Sequence, residues 1–150
     1  MTMTWSRRPP LGLRLLNPIA AFFTGTIGLA PGGVMVLCVR RRSSGGDQRV
    51  PLNVLVHQGA YHLVSLFGET DWLLNLRAAG RASLVRGRTT IPVEVAEELS
   101  DGPRVAALRV YLNRWDGQLG MMAGLDRTSS DEQLREAAER VRIVRLKLSS

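Results

Sequence analysis

The chain has one cysteine, one lysine and few aromatic residues, and each scarcity removes a class of explanation. Cys38 stands alone inside the apolar run from Val34 to Val39, so neither a disulfide framework nor a cysteine metal cluster can be built. Its expected state is a buried, inert thiol, consistent with a reducing, cytoplasmic setting. Aromatic residues make up 5% of the chain and are not interleaved with the basic ones. That spacing, with no recognition-helix motif, argues against nucleic acid as a partner. Nucleophile elbow, phosphate-binding P-loop and dinucleotide fingerprint are all missing. His57 and His62 lie far from any Cys or carboxylate cluster with ligand spacing, so they read as ordinary strand histidines and no metal is expected. Glu94, Glu97 and Glu98 read as a solvated strand end, not as the paired carboxylates of a hydrolase.

What the chain does have is positive charge. The formal net charge is +7, and because Lys147 is the only lysine, arginine carries it. Such a field attracts acidic ligands, nucleic acid or anionic lipid without choosing among them. The 150 residues, 45% of them apolar, are enough for one domain with a real core. Residues 1–16 form a basic, flexible lead-in discouraged from regular structure by Pro9-Pro10, and residues 17–150 form the domain. From Pro18 to Val39 the chain is nearly uncharged, almost a membrane-spanning length. Gly25, Gly28, Pro31, Gly32 and Gly33 interrupt it, however, and no small-x-small cleavage site follows it. Asn17-Pro18 therefore opens a helix over 18–27. Peripheral contact between that helix and a membrane stays open.

Patterning then predicts strands over 33–41, 50–57 and 61–67, the last two joined by a hairpin at Gln58-Gly59. Thr70 caps a helix that stops at Gly80. A second hairpin pairs 82–86 with 88–99 around Gly87, with Pro92 marking an edge strand or a bulge. A helix over 103–115 follows. Residues 116–130 read as a weakly structured segment suited to a mobile lid. Ser130 to Gln133 is a capping box for a helix to about residue 140, and 141–148 closes the chain as a strand. The fold class is α+β, with a mainly antiparallel sheet. The near-continuous apolar runs of the first two strands suggest burial on both faces, as in a closed or partly closed barrel.

Chemistry concentrates between Arg40 and Gly80. Arg40, Arg41, Arg42 and Arg49 surround Ser43-Ser44-Gly45-Gly46, where guanidinium forks and loop N–H groups converge into an anion cradle; a solvated hairpin loop is the equal alternative. On the helix after Thr70, Trp72, Asn75, Leu76 and Ala79 share a face. Trp72 reads as core, while the Asn75 amide needs partners if buried. Leu108, Tyr111, Leu112 and Trp115 make a second apolar face, core by default and a substrate wall otherwise.

These residues resemble the deazaflavin-dependent nitroreductase family, which has a split β-barrel fold within the flavin-binding superfamily. The resemblance rests on Arg41-Arg42-Ser43-Ser44-Gly45, Arg49, Pro51-Leu52, Ser65 and Trp72-Leu73-Leu74-Asn75-Leu76, and covers roughly residues 17–115. It implies an FMN-binding-like split barrel with peripheral helices, a homodimer, and hydride transfer from reduced coenzyme F-420, an 8-hydroxy-5-deazaflavin, to a small quinone, nitroaromatic or enone acceptor. FMN is the second choice of cofactor. By the same resemblance, Arg42, Ser44 and Arg49 hold the phosphate and acidic tail. Pro51, Leu52, Ser65, Trp72 and Asn75 border the ring, Tyr111 and Trp115 shape the acceptor pocket, and Tyr111 donates a proton. Two departures stand out: Ser43 replaces a basic loop residue of the family, and Leu66-Phe67 stands where relatives carry a cation. They favour the rival reading, a non-catalytic split barrel that binds a flavin, a tetrapyrrole or a fatty acyl ligand, with membrane association a further variant.

Overall fold

Six strands close into an antiparallel barrel because each alternates a core-facing with an outward-facing set of side chains. The computed structural model describes residues 32–123, 125 and 128–149, the side chains of 116–123 apart. The expected lead-in over 1–16 and the helix over 18–27 lie outside the described residues. Strands β1 (Gly33–Arg40), β2 (Asp47–His57) and β3 (Ala60–Ser65) lead to helix α1 (Asp71–Ala79). Strands β4 (Arg81–Arg86) and β5 (Thr89–Glu98) follow, then helices α2 (Asp101–Ala123) and α3 (Asp131–Ala138), and strand β6 (Arg142–Leu148). The barrel order is β1-β2-β3-β6-β5-β4, closed by pairing of β4 with β1. This is the α+β barrel with peripheral helices that the patterning implied.

Met35, Leu37, Val39, Val54, Leu63, Leu84, Val93 and Val144 fill the barrel, and α1 stops one end with Trp72, Leu73 and Leu76. A second cluster lies outside the barrel. There α2 and α3 cover Leu55, Val64 and Ile143 with Leu108, Tyr111, Leu112 and Leu134. The apolar run of β1 is therefore covered unevenly: Leu37 is fully buried, while the outward Val34 is 63% exposed.

Local signals account for most boundaries. At the β2–β3 turn both Gln58 (φ 52°) and Gly59 (φ 75°) take the left-handed conformation that a two-residue hairpin needs. Gly80 ends α1 at φ 76°, its N–H donating to the Leu76 carbonyl. Ser130 forms the full capping box with Gln133. Three expectations are corrected. Thr70 occupies the N-cap of α1, yet its side chain makes no cap bond, because its hydroxyl lies 3.1 Å from that of Ser65. Residues 116–123 are helical, continuing α2 past a non-helical Trp115 (φ −129°, ψ 38°) where a helix end was expected. Pro92 sits neither at an edge nor at the bulge, which falls between Val95 and Glu97. It lies just past the end of the β5–β6 ladder, whose pairing starts at Val93 and Leu148, so its missing N–H is tolerated. Glu94, Glu97 and Glu98 pair with Lys147, Arg145 and Arg77 respectively.

Candidate functional site

The arginine loop is tied to the barrel mouth by a single buried amide. Asn75 is 1% exposed. Its Oδ1 accepts from the Arg42 backbone N–H at 3.0 Å and from Arg42 Nη1 at 2.6 Å, and its Nδ2 donates to Gln48 Oε1 at 2.7 Å. Arg42 also reaches Asp71 Oδ1 at 3.0 Å. Both residues thus hold the 41–46 loop on α1, and the Asp71 carboxylate already neutralises part of the Arg42 charge. Ser44 is exposed, its Oγ accepting from the Gly46 N–H at 3.2 Å.

Arg49 differs. Among the described residues it has no carboxylate partner, and its Nη1 donates to Cys38 Sγ at 3.1 Å. Burial pushes the Cys38 thiol above its ordinary pKa despite the nearby Arg49 charge, so the sulfur accepts as a neutral thiol. Alternation along β2 puts Arg49, Pro51, Asn53 and Leu55 on the outer face, with Cys38, Val36 and Val34 opposite the first three on β1. The result is an open apolar shelf of Pro51, Val36 and Val34 with Arg49 at one end.

Tyr111 stands at the other end. The Asn53 amide donates to its hydroxyl at 3.5 Å, a long contact. Burial raises the phenol pKa above its ordinary value more than the Asn53 bond lowers it, so Tyr111 keeps its proton and can donate it. Its ring lies 4.8 Å from that of Trp115, over which the Arg114 guanidinium sits at 4.8 Å. Arg49 and Asn53 are four residues apart, so the shelf spans about 13 Å at ~3.3 Å per residue.

The other sequence-derived candidates lie elsewhere. Leu52 points into the barrel and packs on its core. Trp72 is 7% exposed within the same core. Ser65 is 2% exposed, and its hydroxyl donates to the Gly68 carbonyl, which pins the turn before α1. Arg49, Pro51, Tyr111 and Trp115 therefore share one outer face; Arg42 and Asn75 share the barrel mouth; Leu52, Ser65 and Trp72 serve the scaffold. Sequence reasoning passed over Asn53 and Val36, although a period of two from Arg49 and Pro51 places both on the shelf. Among the described residues no three His, Cys, Asp or Glu side chains converge as metal ligands. No described helix is long and apolar enough to cross a membrane.

No family model matches the chain, and no curated protein matches it in sequence. Solved structures share its fold. A domain-swapped dimer superposes with a TM-score of 0.56 at 14% identity, over 91% of this chain and 96% of that one. A putative 5-nitroimidazole antibiotic resistance protein from Bacteroides thetaiotaomicron gives 0.54 at 13% identity, over 79% and 74%. An F420-H2 dependent reductase gives 0.51 at 21% identity, over 74% and 92%. The likeness confirms the split-barrel fold.

Proposed function

We propose that this protein is a deazaflavin-dependent oxidoreductase that reduces a small quinone, nitroaromatic or enone. The observation that carries the reading is the shelf on β2 and β1. It begins at an arginine free of carboxylate partners among the described residues and ends at a protonated phenol. The residues present fit the anionic end of such a coenzyme: Arg49 supplies a guanidinium fork, and the exposed Ser44 hydroxyl in the 41–46 loop adds a donor. Arg42 contributes mainly by holding that loop. Pro51, Val36 and Val34 give a flat apolar surface for a fused ring. When bound, the reduced deazaflavin would supply the hydride, and the protein would supply orientation and exclusion of water. Tyr111, held by Asn53, would hand a proton to the reduced acceptor. Trp115 would wall the acceptor side.

Leu52, Ser65, Trp72 and Asn75 are engaged in the scaffold, which favours one rival: a barrel that holds FMN or haem without turnover. A fluorescence titration separates the two. Reduced-coenzyme specificity predicts deazaflavin binding that weakens with salt and loses at least tenfold in affinity in Arg49→Gln, as expected for a charge-assisted bond worth about 1.5–3 kcal/mol. Absence of deazaflavin binding by the folded protein, with FMN or haem bound tightly, establishes the rival. The exposed Val34 and Pro51 face also suits a second copy of the chain, which light scattering on a size-exclusion column checks.

A further inference from the structure

Over the β1–β4 pairing lies a cavity of about 490 Å³ that the reading above does not use. Its lining includes Cys38, Arg40, Asp47, Arg81, Ser83 and Pro92. The register explains the convergence. Cys38 faces Ser83 across the β1–β4 pairing, and Ser83 faces Pro92 across β4–β5, so all three project from the outer barrel surface in one row. Arg40 and Arg81 lie two residues from Cys38 and Ser83 on the same strands and the same face.

Ser83 is the informative member. It is 3% exposed and lines the cavity, where its hydroxyl can donate to or accept from a bound group. Arg40 and Arg81 form no ion pair with a described carboxylate. Asp47 adds a carboxylate to the rim. The Cys38 sulfur accepts from Arg49, so its own S–H hydrogen is left to point at an acceptor. Ala79, Ala82 and Pro92 provide apolar wall.

We infer that this cavity binds a small organic monocarboxylate, its carboxylate between Arg40, Arg81 and the Ser83 hydroxyl and its carbon skeleton against Ala79 and Pro92. The guanidinium groups attract an anion, and the wall of Ala79, Ala82 and Pro92 favours one that carries a carbon skeleton over an inorganic anion. A planar carboxylate also suits paired guanidinium forks. This site meets the shelf at the Cys38–Arg49 contact and stands whether or not a deazaflavin binds there.

Isothermal titration of the full chain with sodium benzoate and with inorganic phosphate at low ionic strength provides the test. Benzoate is expected to bind one per chain and more tightly than phosphate. Arg81→Gln and Ser83→Ala, both at positions that need no repacking, should each weaken it at least tenfold, whereas Arg88→Gln, an equal loss of charge at the exposed β4–β5 turn, should leave it unchanged. Since Cys38 is the only thiol, its modification by methyl methanethiosulfonate should slow with benzoate in the native chain but not in Arg81→Gln. No benzoate binding to the folded protein overturns the proposal. Equal weakening by Arg88→Gln does so too, and tighter phosphate binding rules out the monocarboxylate.

Discussion

Asn75 shows which part of a residue's setting the sequence states and which part the fold adds. From the sequence, a buried amide on the α1 face needs partners; in the structure those partners are Arg42 and Gln48, so the amide ties a loop to the barrel. Asn75→Ala should therefore cost roughly 1–3 kcal/mol of stability, seen as a lower urea midpoint, because it strands the Arg42 N–H and the Gln48 carbonyl oxygen. A midpoint within error of the parent would sink that account. His62 carries a pH signature. It is 1% exposed, its Nδ1 lies 3.1 Å from the Ala60 carbonyl, and His57 stands 5.4 Å away ring to ring. Burial lowers its pKa below the ordinary 6.5, helped by His57 and Arg145 and opposed by the Ala60 carbonyl and Glu97. The unfolded chain then binds the proton more readily, so stability falls as pH drops through 6.5 toward the lower folded value. Urea midpoints between pH 7.5 and 5.5 should fall for the parent and flatten in His62→Gln. Hydrogen bonds from Arg77, helped by its charge, lower the pKa values of Glu69 and Glu98 below the ordinary 4.5, and the stability they add is lost as pH falls from 4.5 toward the lower folded values, well separated from the His62 window. Residue types were thus legible, but whether Leu52, Ser65 and Trp72 face a ligand or the core depends on strand register and the turn before α1, which no local pattern states.

At the scale of elements, the turns and caps were the most readable part of the chain because a few residues decide them. Gly80 and the Ser130–Gln133 box sit where the sequence puts them, each with its expected hydrogen bonds. Ser130→Ala should cost about 1 kcal/mol. Gly80→Ala, which forces a side chain into the left-handed region, should cost about the same or somewhat more. Denaturant midpoints of the two variants check both, and a neutral Gly80→Ala would mean that the α1 end relaxes. Thr70 fails as a cap for a tertiary reason: Ser65, brought back by the β3 turn, engages its hydroxyl instead. The end expected at Trp115 corresponds to a real break in φ/ψ, yet α2 resumes beyond it. Composition after Trp115, with Gly117 and Gly120, reads as loop because glycine lowers intrinsic helix propensity by about 1 kcal/mol per residue. The helix shows that this local cost was overcome.

For the whole molecule, closure of the barrel is the feature the sequence leaves least defined, since it depends on a pairing between two strands separated by most of the sheet. That pairing is short. β1 meets β2 over eight registered residue pairs, from Gly33 with Val54 to Arg40 with Asp47, but meets β4 over only three, Val36 with Val85, Leu37 with Leu84 and Cys38 with Ser83. Few ladder bonds mean a small free energy of local opening, so the β1–β4 seam should open before the barrel unfolds. α1 opposes this by packing Trp72, Leu73 and Leu76 across the adjoining barrel end. Native-state hydrogen exchange should show the β4 amides that pair with β1 exchanging through sub-global openings in low denaturant, while the central β1–β2 amides exchange only with global unfolding. If both sets share one isotherm, the seam is not a weak point. The same seam carries the Cys38–Ser83 cavity, with Arg40 on one strand and Arg81 on the other. A carboxylate held between those arginines bridges the two strands, so saturating benzoate should slow seam exchange selectively and leave the β2–β3 amides unchanged, by mass action on the closed form. Uniform slowing across the barrel would instead indicate general stabilisation, and ligation of the seam would not be its cause.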